Sequence, residues 1–131
     1  ALTQTLRAIN RDVMVLCAGW KNRFNLEDTL FAGAVTENLL DAGFTYATDS
    51  DAAVASLSLY RAAKNDMFAF LENSSHRTRL ERLNLEQDIK YCLSFNKTAC
   101  VPFLKEHALI DANKHGGIEL IRASLVENKA Q

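Results

Sequence analysis

The chain has 131 residues, 48% hydrophobic and 24% charged, with 15 Lys+Arg against 16 Asp+Glu for a net charge of −1. A chain of this length buries about two-thirds of its surface on folding, enough for one core. It has no basic surplus to attract nucleic acid, and it is too apolar and too nearly neutral to be disordered. Its longest apolar run, Val13–Ala18, is far short of the ~20 residues of a membrane span, and its opening lacks the apolar centre of a signal peptide. Cys17, Cys92 and Cys100 are odd in number and lie in apolar runs, which reads as free thiols in a reducing compartment. We expect a cytoplasmic, soluble domain, with no nucleic-acid or membrane partner.

Leu2, Leu6 and Ile9 repeat as one stripe of a helix. Nothing precedes Ala1 to cap it, so we expect a chain cut from something longer. Asp12–Cys17 has the length and the unbroken apolar character of a strand covered on both faces, as in a parallel sheet. Ala18–Asn22 then forms a loop. Asn25 is a good N-cap with Asp28 three residues on, and the helix it starts runs to about Ala42. Phe31, Val35 and Leu39 form its apolar stripe, and Gly43 supplies a left-handed end. Gly33 permits close approach to the sheet.

Phe44–Ala47 reads as a short strand. Asp49-Ser50-Asp51 caps a long helix marked by Leu57, Tyr60, Met67, Phe68 and Leu71. Ser74-Ser75 opens a short helix with His76, Leu80 and Leu83, and Asn84–Asp88 forms a turn or one helical turn. Ile89–Phe95 and Cys100–Leu104 read as strands around Asn96-Lys97-Thr98, with Pro102 near an edge. Ala108–Ile110 is a further strand, and a tail or surface helix begins near Asn113. Strand, loop and helix in repetition is the grammar of an α/β layered fold, in which ligands sit beyond the carboxyl ends of strands. The segment Cys17–Asp28 occupies that position.

Several residues there could carry chemistry. Cys17 and Arg23 have the C-x5-R spacing of a cysteine phosphatase, in which a thiolate attacks and the arginine clamps phosphate. The next helix starts only after Arg23, however, and a cysteine closing an apolar strand is more often a buried small residue. Glu27 and Asp28 are adjacent carboxylates about 100° apart around a helix. One can cap the helix while the other faces a metal such as Mg²⁺, which needs one or two carboxylates plus water and phosphate; plain capping would also account for both. His76, at a helix start, could contact phosphate or move a proton, or could be a half-exposed polar residue. Asp88 is a second metal ligand or a turn residue. His107 and His115 show no ligand spacing. Trp20 reads as a lid or packed cover, and Lys21, Arg23, Arg77 and Arg79 could attract an anion or simply be solvated.

In succession, Val15–Trp20, Phe24–Asp28, Ala32-Gly33, His76 with Leu80, and Asp88–Cys92 ending at Val101-Pro102 resemble the second half of the 2-phosphosulfolactate phosphatase family. The similarity runs from about Leu6 to about Asp111. It implies a three-layer α/β/α enzyme with a largely parallel or mixed sheet, of which this chain is the C-terminal half. The family's reaction uses Mg²⁺ to hydrolyse the phosphate ester of 2-phosphosulfolactate, or of a similar small phosphorylated hydroxy acid. By this resemblance Cys17, Ala18, Gly19 and Asn25 bind substrate, Glu27 and Asp28 hold Mg²⁺, and His76 and Asp88 are catalytic. The partners implied are the substrate and the missing N-terminal half, with self-association left open. Residues 1–112 would form the phosphatase-like domain and 113–131 an extension or tail. A non-catalytic module that binds an anion or a partner, and the cysteine phosphatase, are the alternatives.

Overall fold

Asn25 begins the longest helix as its residue type dictates. In the computed structural model, which describes residues 1–46, 50–114, 116–119 and 121–122, its side-chain oxygen accepts from the Glu27 N–H at 3.0 Å. This helix, α2 (Leu26–Leu40), follows α1 (Leu2–Ile9). It closes on a pair of hydrogen bonds, Gly43 N–H to Leu40 at 2.9 Å and Phe44 N–H to Leu39 at 3.1 Å, with Gly43 at φ 90°. Glycine at that turn is what lets the last carbonyls be satisfied. Four more helices follow: α3 (Asp51–Ala63), α4 (Met67–Phe70), α5 (Ser75–Glu81) and α6 (Glu86–Cys92). Two strands come next, β1 (Pro102–Lys105) and β2 (Ala108–Asp111), then a 3₁₀ turn at Ala112–Lys114.

The chain divides into two compact units. Met14–Phe95 holds α2 to α6; Ala1–Val13 and Asn96–Gln131 hold α1 and the strands. The first unit is built on α2 against α3. Leu30, Ala34, Tyr60, Ala63 and Leu71 are buried together, with Leu26, Leu59, Met67 and Leu93 packed on them. Gly33 makes the crossing possible: a Cβ there would lie 2.6 Å from Tyr60 Cβ and closer still to the Ser56 carbonyl oxygen. The close approach expected of Gly33 is therefore real, but its partner is a helix and not a sheet. Phe31, expected on the apolar stripe, is 54% exposed, while Val35 and Leu39 are buried. The core side is read instead from Leu30 and Ala34.

In the other unit β1 and β2 form an antiparallel hairpin, Pro102 opposite Asp111 and Lys105 opposite Ala108. Glu106 in the connecting pair takes φ 54°, the left-handed conformation that tight hairpin turns use. Val101, Ala112 and Ile121 are buried here, with Ala1, Ile9 and Phe103 packed on them. Pro102 opens its strand, where a missing N–H is tolerated.

The structure corrects several expectations. Asp12–Cys17 is not a strand: residues 11–18 have no regular structure, and their backbone groups make no hydrogen bond to another described residue. An apolar run is not enough for a strand; it also needs neighbours for its N–H and C=O groups. Ile89–Phe95 is helical to Cys92, because Leu85, Ile89 and Leu93 also form a helical stripe and Glu86 pairs with Lys90 at 2.7 Å, one turn on. The long helix after Asp51 stops at Ala63. Asp66 then caps α4 through the Ala69 N–H at 2.9 Å, a competing start signal inside the run. Ser50 stands at the N-cap of α3 without a side-chain bond, and Asp49 lies outside the described residues. Phe44–Tyr46 is irregular and Ala47 lies outside the described residues. The strand expected at Cys100–Leu104 is Pro102–Lys105, and Ala108–Ile110 is met in full by β2. Helices with a small sheet agree with an α/β class, although the sheet among the described residues is antiparallel. No helix among those residues is long and apolar enough to cross a membrane.

Candidate functional site

Three stretches of the helical unit meet through side chains: the loop after Cys17, the start of α2 and the start of α5. The loop is a tight turn, with Trp20 and Arg23 exchanging N–H···O bonds at 3.0 Å in both directions and Lys21 and Asn22 at φ 51° and 59°. Gly19 enters it at φ 69°, where a Cβ would lie 2.5 Å from the Arg23 carbonyl oxygen, so no other residue fits without strain. Its N–H donates to Asp28 Oδ2 at 2.8 Å. The second of the paired carboxylates therefore fastens the loop to the helix.

Glu27 faces elsewhere, as the rotation per residue requires. Its Oε1 accepts from Ser74 Oγ at 2.7 Å. Ser74 is also the N-cap of α5, its Oγ accepting from the Arg77 N–H at 3.1 Å. Asn25 completes the junction, its Nδ2 lying 3.3 Å from His76 Nδ1. The cap fixes which way this amide points. Asn25 Oδ1 is held by the Glu27 N–H, so the amide N–H₂ faces the ring, Nδ1 is the acceptor, and the imidazole proton sits on Nε2. His76 thus presents an N–H donor away from its anchor. The loop's second connection is aromatic, with the Arg79 guanidinium 4.2 Å from the Trp20 ring centre.

Of the residues expected to act, Gly19, Asn25, Glu27, Asp28 and His76 are joined in this network and are all half-buried. Cys17 and Ala18 precede it in sequence, exposed and without a hydrogen bond to a described residue. The burial expected for Cys17 is not found, because the strand that would have covered it does not form here. Asp88 is exposed on the first turn of α6 and makes none of these bonds. His107 is exposed in the hairpin turn, and His115 lies outside the described residues. Ser74 was legible only as a helix cap; nothing in its spacing from Glu27 announced the bond between them. A cavity of about 520 Å³ in the other unit, lined by Gln4, Thr5 and Asn113 among others, holds none of the expected site residues.

Three of the N–H groups between Cys17 and Arg23 are already engaged. Gly19, Trp20 and Arg23 have committed their N–H groups to Asp28 and to one another. On α2, by contrast, the N–H groups of Leu26 and Asp28 have no partner among the described residues. Two free donors at the start of a 15-residue helix suit an anion.

A family model described as 2-phosphosulpholactate phosphatase matches residues 1–107. The chain belongs to this family. Among curated relatives named probable 2-phosphosulfolactate phosphatase, the protein of Microcystis aeruginosa is 34% identical over 98 residues, covering 75% of this chain and 41% of that protein. That of Caldanaerobacter subterraneus subsp. tengcongensis is 34% identical over 105 residues, 80% and 43% respectively. That of Gloeobacter violaceus is 38% identical over 90 residues, 69% and 36%. The chain spans about two-fifths of the length of the relatives it matches. No solved structure matches it significantly.

Proposed function

We propose that this chain is part of a phosphatase that hydrolyses the phosphate ester of 2-phosphosulfolactate, or of a similar small 2-phospho-hydroxy acid, to the hydroxy acid and phosphate. The observation that carries the reading is the circuit of contacts among loop, α2 and α5, closed by Arg79 on Trp20, in a chain of this family. Phosphate would sit against the free N–H groups of Leu26 and Asp28, where the helix dipole favours negative charge. His76, held through Nδ1 by Asn25, would direct Nε2–H at a phosphate or leaving-group oxygen, a donor already oriented before charge develops. Asp28 would keep the loop in register through Gly19, and Glu27 would keep α5 in register through Ser74.

Mg²⁺ fits this set of donors. The hydrogen bonds engage one oxygen of each carboxylate, leaving Glu27 Oε2 and Asp28 Oδ1 open, and since the two side chains face apart, one of them would serve as the hard ligand. No group of three or more His, Cys, Asp or Glu suited to a metal occurs among the described residues. A single carboxylate suits a water-rich ion completed by water and substrate oxygens, the habit of Mg²⁺. When bound, Mg²⁺ supplies neutralisation of charge on the phosphate oxygens.

The same proposal takes in the architecture and the setting. The whole enzyme would be a three-layer α/β/α body with a largely parallel or mixed sheet, acting in the cytoplasm, and this chain its C-terminal half. The greater length of the relatives supports a longer whole. The test is phosphate release by the full-length protein. Asp28→Ala and Glu27→Ala are each expected to lower kcat/KM about 100-fold, the cost of misplacing a site by an ångström, with the circular dichroism spectrum unchanged. Chelation should stop turnover and Mg²⁺ restore it. Unchanged turnover in both variants removes these carboxylates from the reaction. Loss of activity in Cys17→Ser would move the chemistry to the thiol, and no phosphate release at all would leave a binding module.

A further inference from the structure

Two arginines on α5 have different surroundings. Arg77 has protein acceptors: its guanidinium lies 3.7 Å from the Phe68 ring centre, it bonds the Phe68 carbonyl oxygen, and its Nε is 2.6 Å from Glu81. Arg79 is half-buried and stacked on Trp20, yet no carboxylate, hydroxyl or carbonyl among the described residues accepts from it. Stacking covers a face of the guanidinium and leaves its in-plane N–H donors open, the edge that matches an oxyanion in bidentate fashion. Its position is fixed twice over. Trp20 is locked by its backbone exchange with Arg23, and the preceding Gly19 is tied to Asp28. Arg79 also follows His76 by three residues, so the two side chains share a face of α5.

We propose that the Arg79–Trp20 pair is the subsite for the substrate's sulfonate, the acidic group carried on the carbon next to the ester carbon. The inference rests on the phosphatase reading above and deepens it: α2 and His76 take the phosphate, and Arg79 takes the neighbouring oxyanion. Arg79 has a stacking partner in Trp20 but, among the described residues, no acceptor for its in-plane N–H groups, and an oxyanion would supply one. Besides its phosphate the substrate carries a carboxylate and a sulfonate, and it is the sulfonate that Arg79 takes. The side chain would thereby act as a specificity residue, with no part in bond cleavage.

The experiment compares kcat/KM for 2-phosphosulfolactate and for 2-phospholactate, which lacks the sulfonate, in the full-length protein and its Arg79→Gln and Arg79→Lys variants. The preference for the sulfonated substrate should fall about 10- to 100-fold in Arg79→Gln, the scale of a lost charged hydrogen bond, mainly through KM. Arg79→Lys should recover part of it, since charge survives but the planar fork does not. A second readout needs no catalysis. The Trp20 emission, isolated as the difference from a Trp20→Phe variant, should respond to sulfolactate at lower concentration than to lactate, and Arg79→Gln should abolish that difference. An unchanged substrate preference together with an unchanged emission response overturns the subsite while leaving hydrolysis standing. A sulfolactate response that depends on Arg79, in a protein that releases no phosphate, upholds the subsite and overturns the hydrolytic reading.

Discussion

Two apolar regions of the helical unit have opposite fates. On α2 and α3, Leu30 is 2% exposed, Ala63 1% and Tyr60 7%; before them in sequence, Met14 is 92% exposed and Leu16 89%. Composition does not separate the two, since both are runs of residues that prefer the interior. The difference lies in where each finds its hydrogen bonds. A helix satisfies its backbone from within, so α2 and α3 need only each other to bury a face. A central strand must borrow both its hydrogen bonds and its cover from neighbours, and among the described residues 11–18 have none.

The firmest way to break the comparison is at the helical crossing. Gly33→Ala would gain up to ~1 kcal/mol of helix propensity, but the new methyl meets the Ser56 carbonyl and the Tyr60 Cβ, both on a second helix. Neither is the loose end of a flexible side chain. We expect a net loss of about 1–3 kcal/mol, the usual range for overpacking, seen as a lower midpoint in chemical denaturation. A stabilised variant would mean that α2 and α3 are not held at this distance.

Much of this was legible in the sequence, and for the same physical reason. Asn25, Ser74 and Gly43 announce helix boundaries through their own side chains or lack of one, and all three act as expected. The carboxylate pair at Glu27 and Asp28 was legible as two groups facing apart, though their partners were not. Gly19 is nine residues from Asp28 and Ser74 is 47 from Glu27, and no local rule carries that far. The period of Ile89–Phe95 was ambiguous because the same apolar residues fit alternation and a helical stripe. Asp12–Cys17 failed for a different reason: an unbroken apolar run carries no period of its own, and the neighbours that a strand calls for are not among the described residues.

A smaller effect sharpens the same contrast. Glu37 on α2 reaches across to α3, 2.9 Å from Arg61 Nε and 3.1 Å from Lys64 Nζ, with its own side chain 15% exposed and its partners 55% and 42%. The Arg61 hydrogen bond first, and Lys64 after it, hold the Glu37 carboxyl below the usual carboxylate range. A carboxylate whose folded pKa is depressed adds stability above its unfolded pKa and loses it as pH falls through the folded value. Glu37→Gln should therefore cost no more than about 1 kcal/mol near neutral pH, given how exposed the partners are. The gap between the two proteins should close in acid and narrow in high salt. A gap that persists in acid would assign the cost to packing and not to charge.

The smallest effect is the most pointed. Leu16→Asp places a charge in the middle of an apolar run, which in a covered strand would be among the worst substitutions available. In this chain Leu16 is 89% exposed and its backbone is unpaired, so the change should lie within about 0.5 kcal/mol by chemical denaturation. A cost of several kcal/mol would show that the stretch is covered and that the contrast with α2 is false. The same substitution in the full-length protein then measures what the rest of that protein contributes. In the three-layer enzyme proposed above, strands on either side would bury Leu16, and the penalty absent here would appear there in full.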